Sequence, residues 1–198
     1  MNKFSQFHQY DYQERWTSYW HQIDEILKLK PKTVLEVGIG SRMVSDYLSR
    51  RGLEIKTLDL DRDLNPDFVA NVMKMPLANN SFDLILCAEV LEHLPFENFE
   101  RSLHELRRTT KKDVVLSLPH FGPALKLSFK IPFLKQIELA WKIPYHPQHK
   151  SEGPHYWEIG KKGYSAGKIK QIIKKYFKIR KEFIPFENQY HHFYVLEK

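Results

Sequence analysis

Glu36, Gly38 and Gly40 stand at alternate positions, and Asp59 follows Gly38 by 21 residues. Glycines so spaced let a chain turn tightly and bring its backbone N–H groups up to a ligand. A carboxylate at the end of the next strand is placed to accept hydrogen bonds from both hydroxyls of a ribose. The chemistry in prospect is the holding of a nucleotide-like ligand. A nicotinamide-dinucleotide fingerprint wants a third glycine where this chain has Met43, which weakens the dinucleotide reading.

A second group of residues suits proton transfer. Glu89 sits at the C-terminal end of a predicted strand, where ligands lie in open α/β sheets. Glu92 and His93 follow, either serving the site or capping the next element. His120 comes just after another strand, at the same edge, where an imidazole can deprotonate an acceptor hydroxyl. Residues 146–158 carry His146, His149, His155, Tyr156, Trp157 and Glu158. Three histidines and two carboxylates within 13 residues raise a metal reading. The prolines and glycine among them prevent an i, i+4 arrangement and no cysteine joins them, so no metal site is assigned. The stretch is read as a lid or acceptor-binding loop. Candidates for the proton-transfer role are therefore His93, His120, His155, Tyr156 and Glu158.

The elements that must position these residues follow from the hydrophobic pattern. Residues 33–37 form a β-branched and aliphatic run of the kind buried on both faces of a parallel sheet. Met43, Val44, Tyr47 and Leu48 then follow at helical spacing, ending near Gly52. Strand, Gly-x-Gly turn and helix together bring a helix N-terminus to a ligand. A second strand is predicted over 54–58, ending at Asp59, and the polar loop after it is too short for a full helix. Further strands are predicted at 68–72, 81–88 and 114–118, with a helix over 96–109. A helix over 165–176 leads to closing strands near 179–186 and 192–196. An N-terminal amphipathic helix over 12–29 carries Trp16, Tyr19, Trp20, Ile23, Ile26 and Leu27. Strands alternating with helices argue for a doubly wound α/β sheet. Asp83 is expected to support the turn and glycine loop from the neighbouring strand.

These residues resemble the class I S-adenosylmethionine-dependent methyltransferases. That family opens on Glu/Asp-x-Gly-x-Gly-x-Gly, met here by Glu36, Gly38 and Gly40, with Arg42 in place of the last glycine. The resemblance implies Asp59, with Leu60 beside it, at the ribose, and Asn71 with Val72 at the adenine. The Asn71 amide oxygen would accept from the adenine amino group. Residues 75–94 resemble the fourth-strand region of the type 11 group, including its Glu-x-x-Glu-His ending at Glu89, Glu92 and His93. Over residues 32–119 the resemblance implies a Rossmann-like, mostly parallel seven-stranded sheet with helices on both faces and an antiparallel C-terminal strand. The implied cofactor is S-adenosyl-L-methionine, giving S-adenosyl-L-homocysteine after methyl transfer to O or N of a small-molecule or glycan-like acceptor. A non-catalytic binding protein, with Arg42 as the defect, is the rival within the same fold.

At 198 residues the chain is expected to form a single domain: an N-terminal helix over 1–30, a cofactor core over 32–119, an acceptor-side insertion over 120–167 and a C-terminal unit over 168–198. Residues 1–99 hold 11 Lys and Arg against 15 Asp and Glu, whereas residues 100–198 hold 20 against 9. A basic half implies an anionic partner or a solvated lysine-rich face. Lys168 to Lys181 offer a basic surface for nucleic acid, but no RNA-binding module accompanies them, so nucleic acid is not favoured. Residues 125–141 interleave apolar side chains with lysines and read as a helical lid over the site, or as a peripheral membrane contact. No run reaches the roughly 20 apolar residues of a transmembrane segment. A single cysteine, Cys87, read as a buried small hydrophobe, and residues 1–10 without an apolar leader core point to a cytoplasmic protein.

Overall fold

The computed structural model describes residues 12–150 and 153–198; the leader reading of residues 1–10 lies outside them. β1 (Thr33–Val37) lies between β2 (Glu54–Asp59) and β4 (Phe82–Ala88), parallel to both. β3 (Phe68–Val69) extends the sheet beyond β2, and β5 (Thr110–Pro119), β9 (His191–Glu197) and β8 (Lys178–Phe183) extend it beyond β4. The order is β3-β2-β1-β4-β5-β9-β8, and β9 runs antiparallel to both neighbours. This is the expected seven-stranded, mostly parallel sheet.

Alternation along each strand splits the core into two layers. Val34, Leu84, Leu86 and Val115 meet α1 (Gln13–Leu29) and α2 (Met43–Arg50) through Ile26, Val44 and Leu48. Leu35, Ile85, Val114 and Leu116 meet α3 (Phe99–Thr109) and α4 (Ala166–Tyr176) through Leu103, Leu106, Ile169 and Ile173. Buried aliphatics such as Leu35 each contribute about 1.5–3 kcal/mol. The chain leaves β1 toward β2 on one side, while β4 lies on the other. That reversal opens a crevice at the C-terminal strand ends.

Several expectations need correction. The helix predicted over 96–109 begins with a separate 3-10 turn, Phe96–Asn98. Trp16 and Trp20 of α1 are 40% and 59% exposed, so the buried stripe of that helix is narrower than its apolar pattern. Asp83 supports the opposite end of β1: its Oδ2 accepts from the N–H groups of Lys32 and Thr33, both at 3.0 Å. It therefore fixes the strand's entry, not the glycine loop.

The largest correction concerns residues 125–141, which are not helical. β6 (Ala124–Phe129) and β7 (Ile137–Lys142) form an antiparallel hairpin outside the main sheet. Its apolar residues recur every second position, and the register pairs Leu125 with Trp141, Leu127 with Leu139 and Phe129 with Ile137. All six share one face and are 39–53% exposed. No helix among the described residues is long and apolar enough to cross a membrane.

Candidate functional site

A cavity of about 370 Å³ occupies the crevice at the ends of β1, β2 and β4. Every residue expected to hold a cofactor lines it: Glu36, Gly38, Gly40, Asp59, Leu60, Asn71, Val72 and Glu89. His93 joins them, and no residue of the hairpin does, so the hairpin is not a lid on this cavity.

The glycine loop owes its shape to three left-handed residues: Gly38 at φ +78°, Gly40 at φ +46° and Arg42 at φ +61°. Arg42 thus takes, without glycine's freedom, the backbone conformation glycine favours. Its guanidinium donates to the carbonyls of Leu64 and Asn65 at 3.2 and 3.1 Å, tying down the loop after β2. Asp59 links that loop to the glycine turn. Its Oδ2 accepts from Ile39 N–H and its Oδ1 from Asp61 N–H, each at 2.9 Å. Each oxygen retains a second lone pair. Asn71 is likewise partly engaged, because its Oδ1 already accepts from Met73 N–H at 2.9 Å.

Glu36 is 4% exposed, and its Oε2 has no hydrogen-bond partner among the described residues. Burial pushes its carboxyl up to about 7, against the opposing bonds from Ser45. Glu89 holds a left-handed φ of +54°, a conformation worth about 1–3 kcal/mol of strain in a non-glycine residue. Its Oε1 accepts from the Ser117 hydroxyl at 2.8 Å, and its Oε2 lies 3.5 Å from Nε2 of His191. Burial also shifts this carboxyl upward.

The proton-transfer candidates separate sharply. His93 is on the cavity wall with its Nδ1 3.1 Å from the Pro154 carbonyl. His155 faces it edge-on, ring centroids 4.8 Å apart, and is held from behind by Glu158 Oε1 at 3.0 Å from Nδ1. Glu158 also accepts from the Tyr190 hydroxyl at 2.6 Å. Burial would raise the Glu158 carboxyl, but the bonds from His155 and Tyr190 outweigh it and leave the group below its ordinary range. Glu158 is off the cavity wall, a support for His155 and not a surface for a ligand.

His120 is not at the cavity. Strand alternation puts it on the face opposite Ser117, where it stacks on His192 at 5.1 Å with Nδ1 to Nδ1 at 3.1 Å. Burial there pulls its pKa down to about 3. Tyr156 is also displaced from the expected role: its ring is 54% exposed and off the cavity wall, and its backbone N–H donates to the Glu92 carbonyl at 2.8 Å. Trp157 is fully buried, donating from Nε1 to the Leu94 carbonyl at 3.1 Å and packing on Phe96 and Phe99. It pins the 153–160 segment beneath the turn after β4, which is how His155 comes to face His93.

Wall residues that the sequence reading does not single out include Arg15, Ser18, Tyr19 and Gln22 of α1, and His191 of β9. The signal for those of α1 was a polar stripe at helical spacing, 15, 18 and 22, within an otherwise apolar face. Tyr19 reaches the glycine loop, its hydroxyl 3.2 Å from Ser41 Oγ.

A doubly wound sheet with a glycine turn and an acidic second-strand end around a crevice cavity defines a Rossmann-like α/β fold. Residues 35–118 match the family model of the type 11 methyltransferase domain. An uncharacterised protein of Methanocaldococcus jannaschii is 45% identical over 42 residues, 21% of this chain and 17% of its own. The ubiquinone biosynthesis O-methyltransferase of Azoarcus sp. is 29% identical over 104 residues, 45% of this chain and 44% of its own. The chain thus spans less than half the length of these curated relatives. Among solved structures, the 1,6-didemethyltoxoflavin-N1-methyltransferase of Burkholderia thailandensis, with bound 1,6-didemethyltoxoflavin and S-adenosylhomocysteine, shares the fold. Its TM-score is 0.59 at 13% identity, over 98% of this chain and 85% of that one.

Proposed function

We propose that the chain binds S-adenosyl-L-methionine in the crevice cavity and directs its methyl group to an oxygen or nitrogen of a small-molecule or glycan-like acceptor, releasing S-adenosyl-L-homocysteine. One observation carries this reading: the glycine turn, Glu36, Asp59 and the Asn71–Val72 pair line a single cavity wall. The residues fit the group. The unpartnered Oε2 of Glu36 suits the amino group of the methionine portion, with Gly38 and Gly40 beside it. Asp59 and Leu60 serve the ribose, Asn71 and Val72 the adenine, and Glu89 closes the wall.

When bound, S-adenosylmethionine supplies an electrophilic methyl group on its sulfonium. The protein's part is to hold donor and acceptor in line, exclude water and remove the acceptor proton where needed. His93 is the one proposed proton-transfer residue on the wall. Its Nδ1 faces a carbonyl, which only accepts, so Nδ1 carries the hydrogen and Nε2 keeps a lone pair. Burial lowers its pKa, favouring the neutral form at pH 7. A single domain in the cytoplasm, with 120–167 on the acceptor side, completes this reading.

Nucleic acid is disfavoured by how the basic half spends its charge. Lys170 pairs with Glu182, Lys175 with Glu100, Arg180 with Glu197 and Lys181 with Glu25. A lipid-borne acceptor has a specific observation in its favour. The hairpin's exposed apolar face ends in a turn where Phe133 stands fully in solvent between Lys130 and Lys135.

Calorimetric titration with S-adenosylhomocysteine tests the central claim. Micromolar binding to the wild type, weakened at least tenfold in Asp59→Ala, is expected. No binding to the wild type overturns the reading.

A further inference from the structure

We propose that Glu92, His93 and His155 bind a divalent first-row transition ion, zinc foremost, with one coordination position open to the crevice cavity. One donor atom from each residue lies within 4.8 Å of the other two. Glu92 and His93 belong to the 3-10 turn after β4, Leu91–His93, whereas His155 comes from the segment that Trp157 pins beneath it. Zinc bonds of about 2.0–2.2 Å separate neighbouring donors by about 3.3 Å, so modest side-chain rotation closes the site.

Three further features point to an ion. Glu92 is fully buried, yet neither carboxylate oxygen has a hydrogen-bond partner among the described residues. Such a group is costly unless something charged meets it. Both imidazoles are oriented as metal ligands are. His155 gives Nδ1 to the Glu158 carboxylate and His93 gives Nδ1 to the Pro154 carbonyl, leaving each Nε2 with its lone pair. The His155 Nε2 lies 4.0 Å from Glu92 Oε1. Two imidazoles and a carboxylate form the ligand set of open zinc sites, which keep a position for water or substrate. His93 also lines the cavity, and this sets the direction of that position.

The charge around the site agrees. The carboxylates of Glu89 and Glu158 act on Glu92 through space, with Arg15 opposing them. A divalent cation relieves that crowding. The ion binding does not depend on methyl transfer. Its consequence for an acceptor does rest on that reading: a hydroxyl on the open position loses its proton to solvent more readily, and His93 then serves as a ligand and not as the base.

The test is titration of tag-free, chelator-stripped full-length protein with Zn²⁺ by calorimetry and with Co²⁺ by visible absorption. One ion per chain is expected, with the intense d–d bands of a four- or five-coordinate Co²⁺ site. Glu92→Gln and His155→Gln should each weaken binding at least tenfold, and Glu158→Gln about tenfold through loss of the supporting bond. S-adenosylhomocysteine titration of the same variants reports whether they are folded. No stoichiometric ion in the wild type, or binding unchanged in folded His155→Gln, overturns the proposal. Ion binding without S-adenosylhomocysteine binding upholds it while sinking the methyltransferase reading.

Discussion

A Cβ added to Gly38 would lie 2.2 Å from Cγ2 of Val90, well inside van der Waals contact. Gly38 closes the turn after β1 and Val90 follows the end of β4, so two neighbouring parallel strands meet at this contact. The same glycine has φ +78° and donates its N–H to the Leu58 carbonyl at 2.8 Å. Gly38→Ala must therefore strain the backbone and push the loop away from Val90. The expected loss of stability is about 1–3 kcal/mol by chemical denaturation. S-adenosylhomocysteine affinity should fall at least tenfold, because the displaced loop lines the cavity. Wild-type affinity in the alanine variant would show that this turn does not shape the ligand site.

Glu36 makes binding dependent on pH. Burial holds its carboxyl protonated to about pH 7, while the unfolded chain releases that proton near 4.5. Between those values the folded state binds more protons, so this group's contribution to stability is present below 4.5 and is lost as pH rises through 7. A ligand ammonium beside Glu36 favours the carboxylate, and binding then expels the proton. Affinity for S-adenosylhomocysteine should rise by up to about tenfold per pH unit below 7 and level off above it. Calorimetry in buffers of different ionisation enthalpy should register the released proton. In Glu36→Gln both effects should vanish; persistence of the slope would assign the proton to another group.

The cavity wall around the glycine turn is legible in the sequence because its residues are set by local chain geometry. A strand, a Gly-x-Gly turn and a strand-end acid lie in one segment, and the period of Thr33–Val37 or Phe82–Ala88 fixes which residues reach the C-terminal edge. The meeting of His93 and His155 is not. His93 and His155 meet across 62 residues of sequence only because buried Trp157 docks on Phe96 and Phe99. His120 looked equivalent to His93 in position, but strand alternation turned it to the opposite face. In the hairpin, a two-residue apolar period was present in Leu125, Leu127 and Phe129. The sequence nonetheless favours a helix there, because an apolar strand face left in water is not what burial leads one to expect.

Arg42 separates the proposed methyl-transfer activity from the non-catalytic reading. Its left-handed backbone carries strain of about 1 kcal/mol, and its guanidinium returns about as much through two carbonyl bonds. Arg42→Gly should leave stability within about 1 kcal/mol of wild type. The loop at 62–65 should then loosen, with faster amide exchange at Asn65 and a few-fold weaker S-adenosylhomocysteine binding. Binding tightened tenfold instead would make Arg42 an obstruction, as the non-catalytic reading requires.

The hairpin offers a surface test separate from the cavity. Phe133 makes no burial contribution to the fold at 105% relative exposure, so Phe133→Asp should leave the thermal midpoint unchanged. Trp141 and Tyr145 add exposed aromatic surface near the base of the hairpin, and Lys130 and Lys135 flank the tip. Aromatics beside lysines favour the interface of an anionic bilayer, where Phe133 would bury its ring for about 1.5–3 kcal/mol. Wild-type protein should sediment with phosphatidylglycerol vesicles and much less with phosphatidylcholine, and added salt should release it. Phe133→Asp should weaken the phosphatidylglycerol association at least tenfold, because a carboxylate both loses the apolar gain and is repelled by the lipid. A concentration-dependent dimer that leaves vesicles alone would instead assign the apolar face to a second copy of the chain, paired through the hairpin's free strand edges.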